Sequence, residues 1–158
     1  MLGVETTPDT KTAFYIRSSN GNETLMQTQH TLLENKLGTP AKIYRDKASG
    51  LNEKRRGLQQ LMKDAKTGNI THVAVTDKDR LTRFGFHYLE QYFNMCNVEV
   101  IVINATTNKT MHEELIEDFL SLLASFSGKY YRLRGYENQK KFLNNIKEAL
   151  DEQTEKSN

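Results

Sequence analysis

The chain has 158 residues, of which 37% are hydrophobic and 27% charged, with a formal net charge of +2. That length suits one domain with its own core, and the lack of an apolar run of about 20 residues excludes a membrane span. Residues 1–10 have neither the basic start nor the apolar core of a signal peptide, so we expect a cytoplasmic protein, and its mildly basic charge permits a nucleic-acid partner.

Apolar runs and helical spacings alternate through the first two thirds of the chain. The runs predict strands at residues 11–19, 41–45, 72–76 and 98–103. Helices are predicted from Thr24 as the N-cap to a stop at Gly38, at about 55–67 and at about 86–95. This alternation predicts an α/β domain over residues 11–108, with a mostly parallel sheet of four or five strands flanked by helices.

The remainder of the chain has a different pattern. Residues 109–150 lack proline and keep a helical pattern that is too long for a typical globular helix. Its first half sets large apolar side chains opposite a small-residue patch, Ser121, Ala124, Ser125 and Gly128. We expect this helix to pack against the chain's own domain and also, at close range, against a second copy. A single long core helix is the alternative.

The ends and the basic segment complete the domain organisation. Residues 1–10, interrupted by Pro8, are interpreted as a linker remnant, and residues 151–158 as a disordered tail. The second half of the long helix is basic, and its predicted DNA-binding residues are Lys129, Arg132, Arg134, Lys140 and Lys141.

At the end of the first predicted strand, a hydroxyl lies beside a guanidinium. In an extended strand Tyr15, Arg17 and Ser19 project from one face. A serine next to a fixed positive charge suits attack on a phosphate better than on an ester or amide, because the charge to be stabilised lies on phosphoryl oxygens. The alternative is that the Ser18–Ser19 pair only forms a turn.

Further charged residues follow the other predicted strand ends. They are Asp46, Asp79, Arg80 and Arg83, and either Arg55 or Arg56 could join them from the start of a predicted helix. Several arginines converging on one hydroxyl could grip a phosphodiester and offset charge in a five-coordinate transition state. The aspartates would orient these arginines or manage protons. Any one of these residues could instead belong to a surface ion pair, but their shared position at strand ends favours a site.

Four motifs in this order resemble those of the serine recombinases, the family of resolvases, invertases and related transposases. They are Tyr15–Ser19, which fits Tyr-x-Arg-x-Ser, and then residues 46–50, 55–58 and 79–83. The resemblance covers residues 13–136. The runs 79–86 and 125–128 are most similar to the insertion-sequence transposase branch.

The resemblance implies an enzyme of DNA recombination, integration or transposition. In it Ser19 attacks a DNA phosphate and forms a 5′-phosphoserine link, so that strands are cleaved and rejoined. The residues implied to contact the scissile phosphate are Arg17, Arg80 and Arg83, and Arg55 rather than Arg56 takes the next arginine role. The residues implied to support the site are Tyr15, Gln29, Asp46, Ser49 and Asp79.

The resemblance also implies the partners. The chain is expected to bind DNA as a homodimer that becomes a tetramer when two sites meet, and to work with a helix-turn-helix domain that these residues do not include. The arginines would replace metal ions, and rejoining would need no ATP, so no metal or other cofactor is predicted. The histidines fit this expectation, because they are scattered at positions 30, 72, 87 and 112.

Two other functions stay open at this point. One is a non-catalytic DNA-binding or oligomerisation module with the same fold. The other is a different small enzyme on a similar sheet, such as a phosphatase.

Overall fold

The computed structural model describes residues 9–105, 114–116, 118–120, 122–123, 141, 144–145 and 148. The chain divides into two compact units, Met1–Thr106 and Thr107–Asn158. Within the described residues, no helix combines the length and apolar character needed to cross a membrane.

A parallel four-stranded sheet forms the centre of the first unit. Its strands are β1 (Thr12–Ser18), β2 (Lys42–Lys47), β3 (His72–Val75) and β4 (Glu99–Val102), in the spatial order β2-β1-β3-β4. The central strand β1 pairs in parallel with both β2 and β3, and the register sets Arg17 beside Asp46. The predicted α/β fold is therefore confirmed, with four strands in the described part of the chain.

Helices cover both faces of this sheet. They are α1 (Glu23–Leu37), α2 (Arg56–Lys66), α3 (Lys78–Leu81) and α4 (Phe86–Met95). On one face Leu33 of α1 packs with Phe14 of β1. On the other, Leu61 of α2 and Phe93 of α4 pack with Tyr15 of β1. Successive strand residues point to opposite faces, so β1 contributes to both cores and is buried throughout its length after Thr12.

Two predicted boundaries differ from the structure by two residues, and the other predicted strand and helix ends differ by one residue or none. Asn22, not Thr24, caps α1, because its side-chain Oδ1 accepts a hydrogen bond from the Leu25 amide at 3.0 Å. Strand β2 continues past Arg45 to Lys47, since pairing with β1 extends to the Ser18–Lys47 step. The predicted stop of α1 at Gly38 is confirmed, and this glycine has a φ of 80° that suits a residue without Cβ.

The second unit is described only in part, and its described residues are helical. Three large apolar side chains at helical spacing, Leu115, Phe119 and Leu122, expose 41%, 46% and 40% of their surface, whereas Glu114 and Asp118 are buried. The expected packing of this helix on the chain's own domain and on a second copy stays a prediction.

Most of the expectations for the second unit lie outside the described residues. These are the bulk of the 109–150 helix, the small-residue patch, the 151–158 tail and the basic residues Lys129, Arg132, Arg134 and Lys140. Residues 1–8 of the predicted linker remnant also lie outside the described residues.

Candidate active site

Ser19 follows β1 directly, and its hydroxyl is held by Arg17. The Ser19 Oγ accepts a hydrogen bond from Arg17 Nη1 at 2.8 Å. Arg17 is fully buried, while Ser19 is partly exposed. A hydroxyl that solvent or a ligand can reach is thus fixed by a guanidinium that the protein encloses.

Arg17 is itself held from several sides. Its Nε donates to the Arg80 carbonyl at 3.1 Å, its Nη2 to the Asp79 carbonyl at 2.7 Å, and its Nη1 also to the Ala48 carbonyl at 3.0 Å. The Gln29 side chain of α1 makes two hydrogen bonds to the Arg17 main chain. Its Oε1 accepts from the Arg17 amide at 3.1 Å, and its Nε2 donates to the Arg17 carbonyl at 2.8 Å. Because guanidinium donors have a fixed fork geometry, these contacts fix the plane of the side chain.

The short helix α3 supplies most of these carbonyls. A helix of four residues leaves its carbonyl groups largely without intrahelical partners, and cations are favoured at a helix C-terminus. Arg17 therefore takes the Asp79 and Arg80 carbonyls, and Arg55 Nη1 donates to the Leu81 carbonyl at 2.7 Å. The sequence did not predict α3, because four residues are too few to show a helical period.

Arg80 and Arg83 lie in the same cluster. Arg80 is fully buried, and its Nη1 donates to the Arg17 carbonyl at 3.3 Å. Arg83 Nη1 pairs with Asp79 Oδ2 at 2.9 Å. A Cβ placed on Gly50 would lie 3.1 Å from both Arg17 Nη2 and Arg83 Cβ, so these two arginines approach each other across a residue that has no side chain. The structure brings together Ser19 and the three arginines predicted to contact the phosphate.

A second network joins β1, β2 and α2. The Tyr15 hydroxyl donates to Asp46 Oδ2 at 2.8 Å and accepts from Arg55 Nη1 at 2.9 Å. Asp46 also accepts from the Gly57 and Leu58 amides, each at 2.9 Å, so it satisfies the first free amides of α2. Asp46 thus orients Arg55 through Tyr15. Burial raises the pKa of the Tyr15 hydroxyl, with Asp46 adding to the effect and Arg55 opposing it.

The paired candidates have different surroundings. Arg55 is 3% exposed within this second network, whereas Arg56 is exposed. Ser18 is buried, and its Oγ accepts from the Asn22 amide at 3.0 Å, so it shapes the turn after β1. Of these two serines, Ser19 is the one whose Oγ accepts a hydrogen bond from the Arg17 guanidinium.

Ser49 has a local partner. Its Oγ accepts from the Leu51 amide at 3.1 Å. This contact shapes a loop that supplies two carbonyl groups to the site. The Ala48 carbonyl accepts from Arg17 Nη1 at 3.0 Å, and the Gly50 carbonyl accepts from the Arg83 amide at 3.2 Å. In this structure Ser49 therefore acts on the site through the loop.

Two glycines have roles that the sequence reasoning missed. Beyond Gly50, a Cβ on Gly57 would lie 2.7 Å from the Arg45 carbonyl oxygen and 2.8 Å from Asp46 Oδ2. The missing side chain lets the start of α2 approach the end of β2 closely. A glycine directly after two arginines at the start of a predicted helix is the available signal for such an approach.

The segments that meet at this edge of the sheet carry more arginine than aspartate charge. The residues are Arg17, Arg55, Arg80 and Arg83 against Asp46, Asp77 and Asp79. Such a balance in a partly enclosed site favours an anion. Among the described residues, no three or more His, Cys, Asp or Glu side chains are grouped to hold a metal ion.

Comparison with known proteins gives a family match and solved structures of the same fold. The model of the "Resolvase, N terminal domain" family matches residues 12–152. A resolvase-like protein of Acanthamoeba polyphaga mimivirus is 31% identical over 127 residues, which cover 79% of this chain and 66% of that protein. The chain thus spans less than two thirds of this relative's length.

Two solved structures are similar over most of both chains. The C-terminal catalytic domain of ISC1926 TnpA, an IS607-like serine recombinase, has a TM-score of 0.71 at 34% identity and covers 89% of this chain and 98% of its own. A serine recombinase from Sulfolobus solfataricus has a TM-score of 0.68 at 33% identity, with 90% and 97% covered.

Proposed function

The chain belongs to the resolvase family of serine recombinases, and from this we propose that it cuts and rejoins DNA strands through a covalent link between Ser19 and a 5′ phosphate. The family match confirms the resemblance predicted from the four motifs. The observation that carries the proposal is the 2.8 Å contact between Ser19 Oγ and Arg17 Nη1, at the edge where the parallel strands end.

In the proposed cleavage step Ser19 Oγ attacks the phosphorus of a DNA phosphodiester. The bond from phosphorus to the 3′ oxygen breaks as the bond to Ser19 forms; the serine loses its proton and the departing 3′ oxygen gains one. One phosphodiester replaces another, so the bond energy is kept. Attack by a new 3′ hydroxyl then rejoins the strand and frees Ser19, without ATP.

The arginines would stabilise the charge that develops in this step. Arg17 already holds the attacking oxygen, and Arg80 and Arg83 lie in the same cluster. Fixed guanidinium groups aimed at phosphoryl oxygens offset charge without reorganising during the reaction. We therefore propose that they do the work that metal ions do at other phosphoryl-transfer sites. Asp79 would hold Arg83 until a phosphate arrives.

The supporting residues would act by positioning. Gln29 fixes the Arg17 main chain, and Asp46 holds Arg55 through Tyr15. Ser49 shapes the loop that supplies the Ala48 carbonyl to Arg17. Loss of any of these contacts would leave the hydroxyl in place but loosen the guanidinium groups around it.

DNA and further copies of the chain are the proposed partners. The proposed DNA-binding residues are Lys129, Arg132, Arg134, Lys140 and Lys141, of which Lys141 is described and is exposed. The exposed apolar face formed by Leu115, Phe119 and Leu122 supports pairing of two copies, with a tetramer forming when two DNA sites meet.

Covalent capture tests the reaction. The protein is incubated with a pool of nicked DNA duplexes whose sequence is randomised around the nick, and adducts are resolved on a denaturing gel. We expect an adduct with the wild type and with Ser18→Ala, and none with Ser19→Ala. Ser18 is the matched control, because it is adjacent and its hydroxyl donates to Asn20 Oδ1 and accepts from the Asn22 amide within the turn.

The same assay separates the other two functions. DNA binding without an adduct, unchanged in Ser19→Ala, would indicate a non-catalytic module. Release of inorganic phosphate from a small phosphate ester, with no protein–DNA adduct, would indicate a phosphatase. Either result would overturn the proposed recombinase reaction.

A further inference from the structure

Two aromatic side chains project from the surface immediately after Arg83. Phe84 and Tyr88 expose 72% and 78% of their surface. Between them Phe86 turns inward, where it packs on the core and lies under Lys78 Nζ at 5.1 Å. The segment therefore buries one aromatic ring and presents the other two to solvent.

The backbone that carries these two rings is held in place. The Thr82 hydroxyl donates to the Phe84 carbonyl at 2.7 Å, and the Tyr88 amide donates to the Gly85 carbonyl at 3.1 Å. A Cβ on Gly85 would lie 3.6 Å from Tyr88 Cδ2, so the Tyr88 ring rests close to the Gly85 backbone. An aromatic side chain on a backbone that is already held in place binds with little further loss of backbone conformational entropy.

The aromatic pair is continuous with the arginine cluster. Phe84 follows Arg83 in the chain, Arg83 approaches Arg17 across Gly50, and Arg17 holds Ser19. Cationic groups beside exposed rings form the surface that proteins use for nucleic acid outside a regular duplex, where the cations contact the backbone and a ring stacks on a base.

Strand cleavage creates such a base. When a strand is cut and its end moves, the base next to the break loses a stacking neighbour, which disfavours the open state about tenfold. We propose that Phe84, with Tyr88 beside it, stacks on the base exposed at the cut end and replaces this neighbour. The inference rests on the proposed cleavage by Ser19 and adds a base-contacting site to it. Its consequence is a longer-lived open intermediate.

Binding of two DNA probes to the full chain tests this site. One is a short duplex closed at both ends by flexible linkers that contain no bases. The other has the same sequence with one open end that carries 2-aminopurine at the last base. We expect the wild type to prefer the open duplex by about 5- to 50-fold and to quench the 2-aminopurine fluorescence. Phe84→Leu should remove the preference and the quenching while leaving affinity for the closed duplex unchanged.

Matched variants separate stacking from other effects. Phe84→Trp should restore the preference, because a ring is present again, and Tyr88→Leu should reduce it in part. Met95→Leu is the control, since Met95 is 84% exposed on the same helix but lies two turns beyond Tyr88. Circular dichroism melting should be unchanged in all four variants, because these side chains are exposed.

Two outcomes would count against the site, and a third would count against the proposed function on which it rests. An equal open-to-closed ratio in wild type and Phe84→Leu would overturn it while leaving the Ser19 adduct intact. A change of oligomeric mass in Phe84→Leu with an unchanged DNA ratio would assign the rings to contact with another copy of the chain. Absence of both DNA binding and a Ser19 adduct in the wild type would instead overturn the proposed function.

Discussion

At the scale of single residues, the site depends on the donor geometry of Arg17. One planar group contacts the Ser19 hydroxyl and the carbonyls of Ala48, Asp79 and Arg80 at the same time. A lysine would bring the charge but only one nitrogen atom, so it could not reach all four partners. The position therefore requires the arginine fork as well as a cation.

Arg17→Lys should for this reason lower Ser19 adduct formation by about 100-fold or more, the usual loss when a charge-stabilising donor is removed. The folded state should also be less stable, because buried carbonyls lose their donors. Adduct yield on nicked duplexes and thermal melting measure the two effects. Arg56→Lys is the matched control and should change neither, since Arg56 is exposed. Wild-type adduct yield in Arg17→Lys would show that charge alone suffices.

The sequence predicted which side chains meet at the site but not how they are held. Tyr15, Arg17, Ser19, Arg80 and Arg83 could be placed together, because parallel strands end at one edge. Their partners are mostly backbone carbonyls, as in the contacts of Arg17 with residues 48, 79 and 80. Every residue has a carbonyl, so sequence does not indicate which ones will be accepted as partners.

At the scale of elements, the sequence predicted the helix α4 but not the helix α3. The helix Phe86–Met95 was predicted with its observed bounds, because ten residues show a period. Helix α3 forms within the tertiary structure, where buried arginines occupy its carbonyls, so its own four residues contain no periodic signal. The N-cap of α1 was misplaced because Asn22 also suits the turn that precedes the helix, although asparagine is a better N-cap than threonine.

A second cluster joins β2 to α2 at the opposite end of these elements from the candidate site. Asp64 Oδ2 accepts from Lys42 Nζ and from the Tyr44 hydroxyl, each at 2.5 Å. These hydrogen bonds, that from Lys42 first, lower the pKa of Asp64 from 3.8 to about 2. A carboxyl whose pKa is depressed on folding stabilises the folded state above its unfolded pKa, and this stabilisation is lost as pH falls through the folded value.

Asp64→Asn should therefore destabilise the protein at pH 7, by about 1–3 kcal/mol, because the charge-assisted bonds are lost. The difference in the free energy of unfolding between the variant and the wild type should become smaller between pH 4 and pH 2, because the wild-type Asp64 carboxyl takes up its proton there. Urea unfolding at pH 7, 4 and 2.5 measures this. Glu53→Gln, at an exposed carboxyl, is the control. A difference that stays constant across this range would contradict the role given to Asp64.

At the scale of the whole molecule, the first unit could be predicted from sequence because its alternating strands and helices leave few topologies. The second unit could not be predicted as well. In a long helix the same apolar residues can face the chain's own domain or another copy. Leu115, Phe119 and Leu122 are partly exposed in the single chain, so their surface is available to another copy.

This exposed face leads to the last prediction. Replacing Leu115, Phe119 and Leu122 together by serine should leave the melting temperature of the first unit nearly unchanged, since these side chains are 41%, 46% and 40% exposed. If the face joins copies, the sedimentation mass should fall to that of one chain. If cleavage needs two assembled copies, formation of the Ser19 adduct should also fall in this variant. A control with Leu37→Ser and Ile43→Ser, each 37% exposed in the first unit, should keep the wild-type mass. An unchanged mass in the triple variant would remove this face from the assembly and shift the contact between copies to other residues.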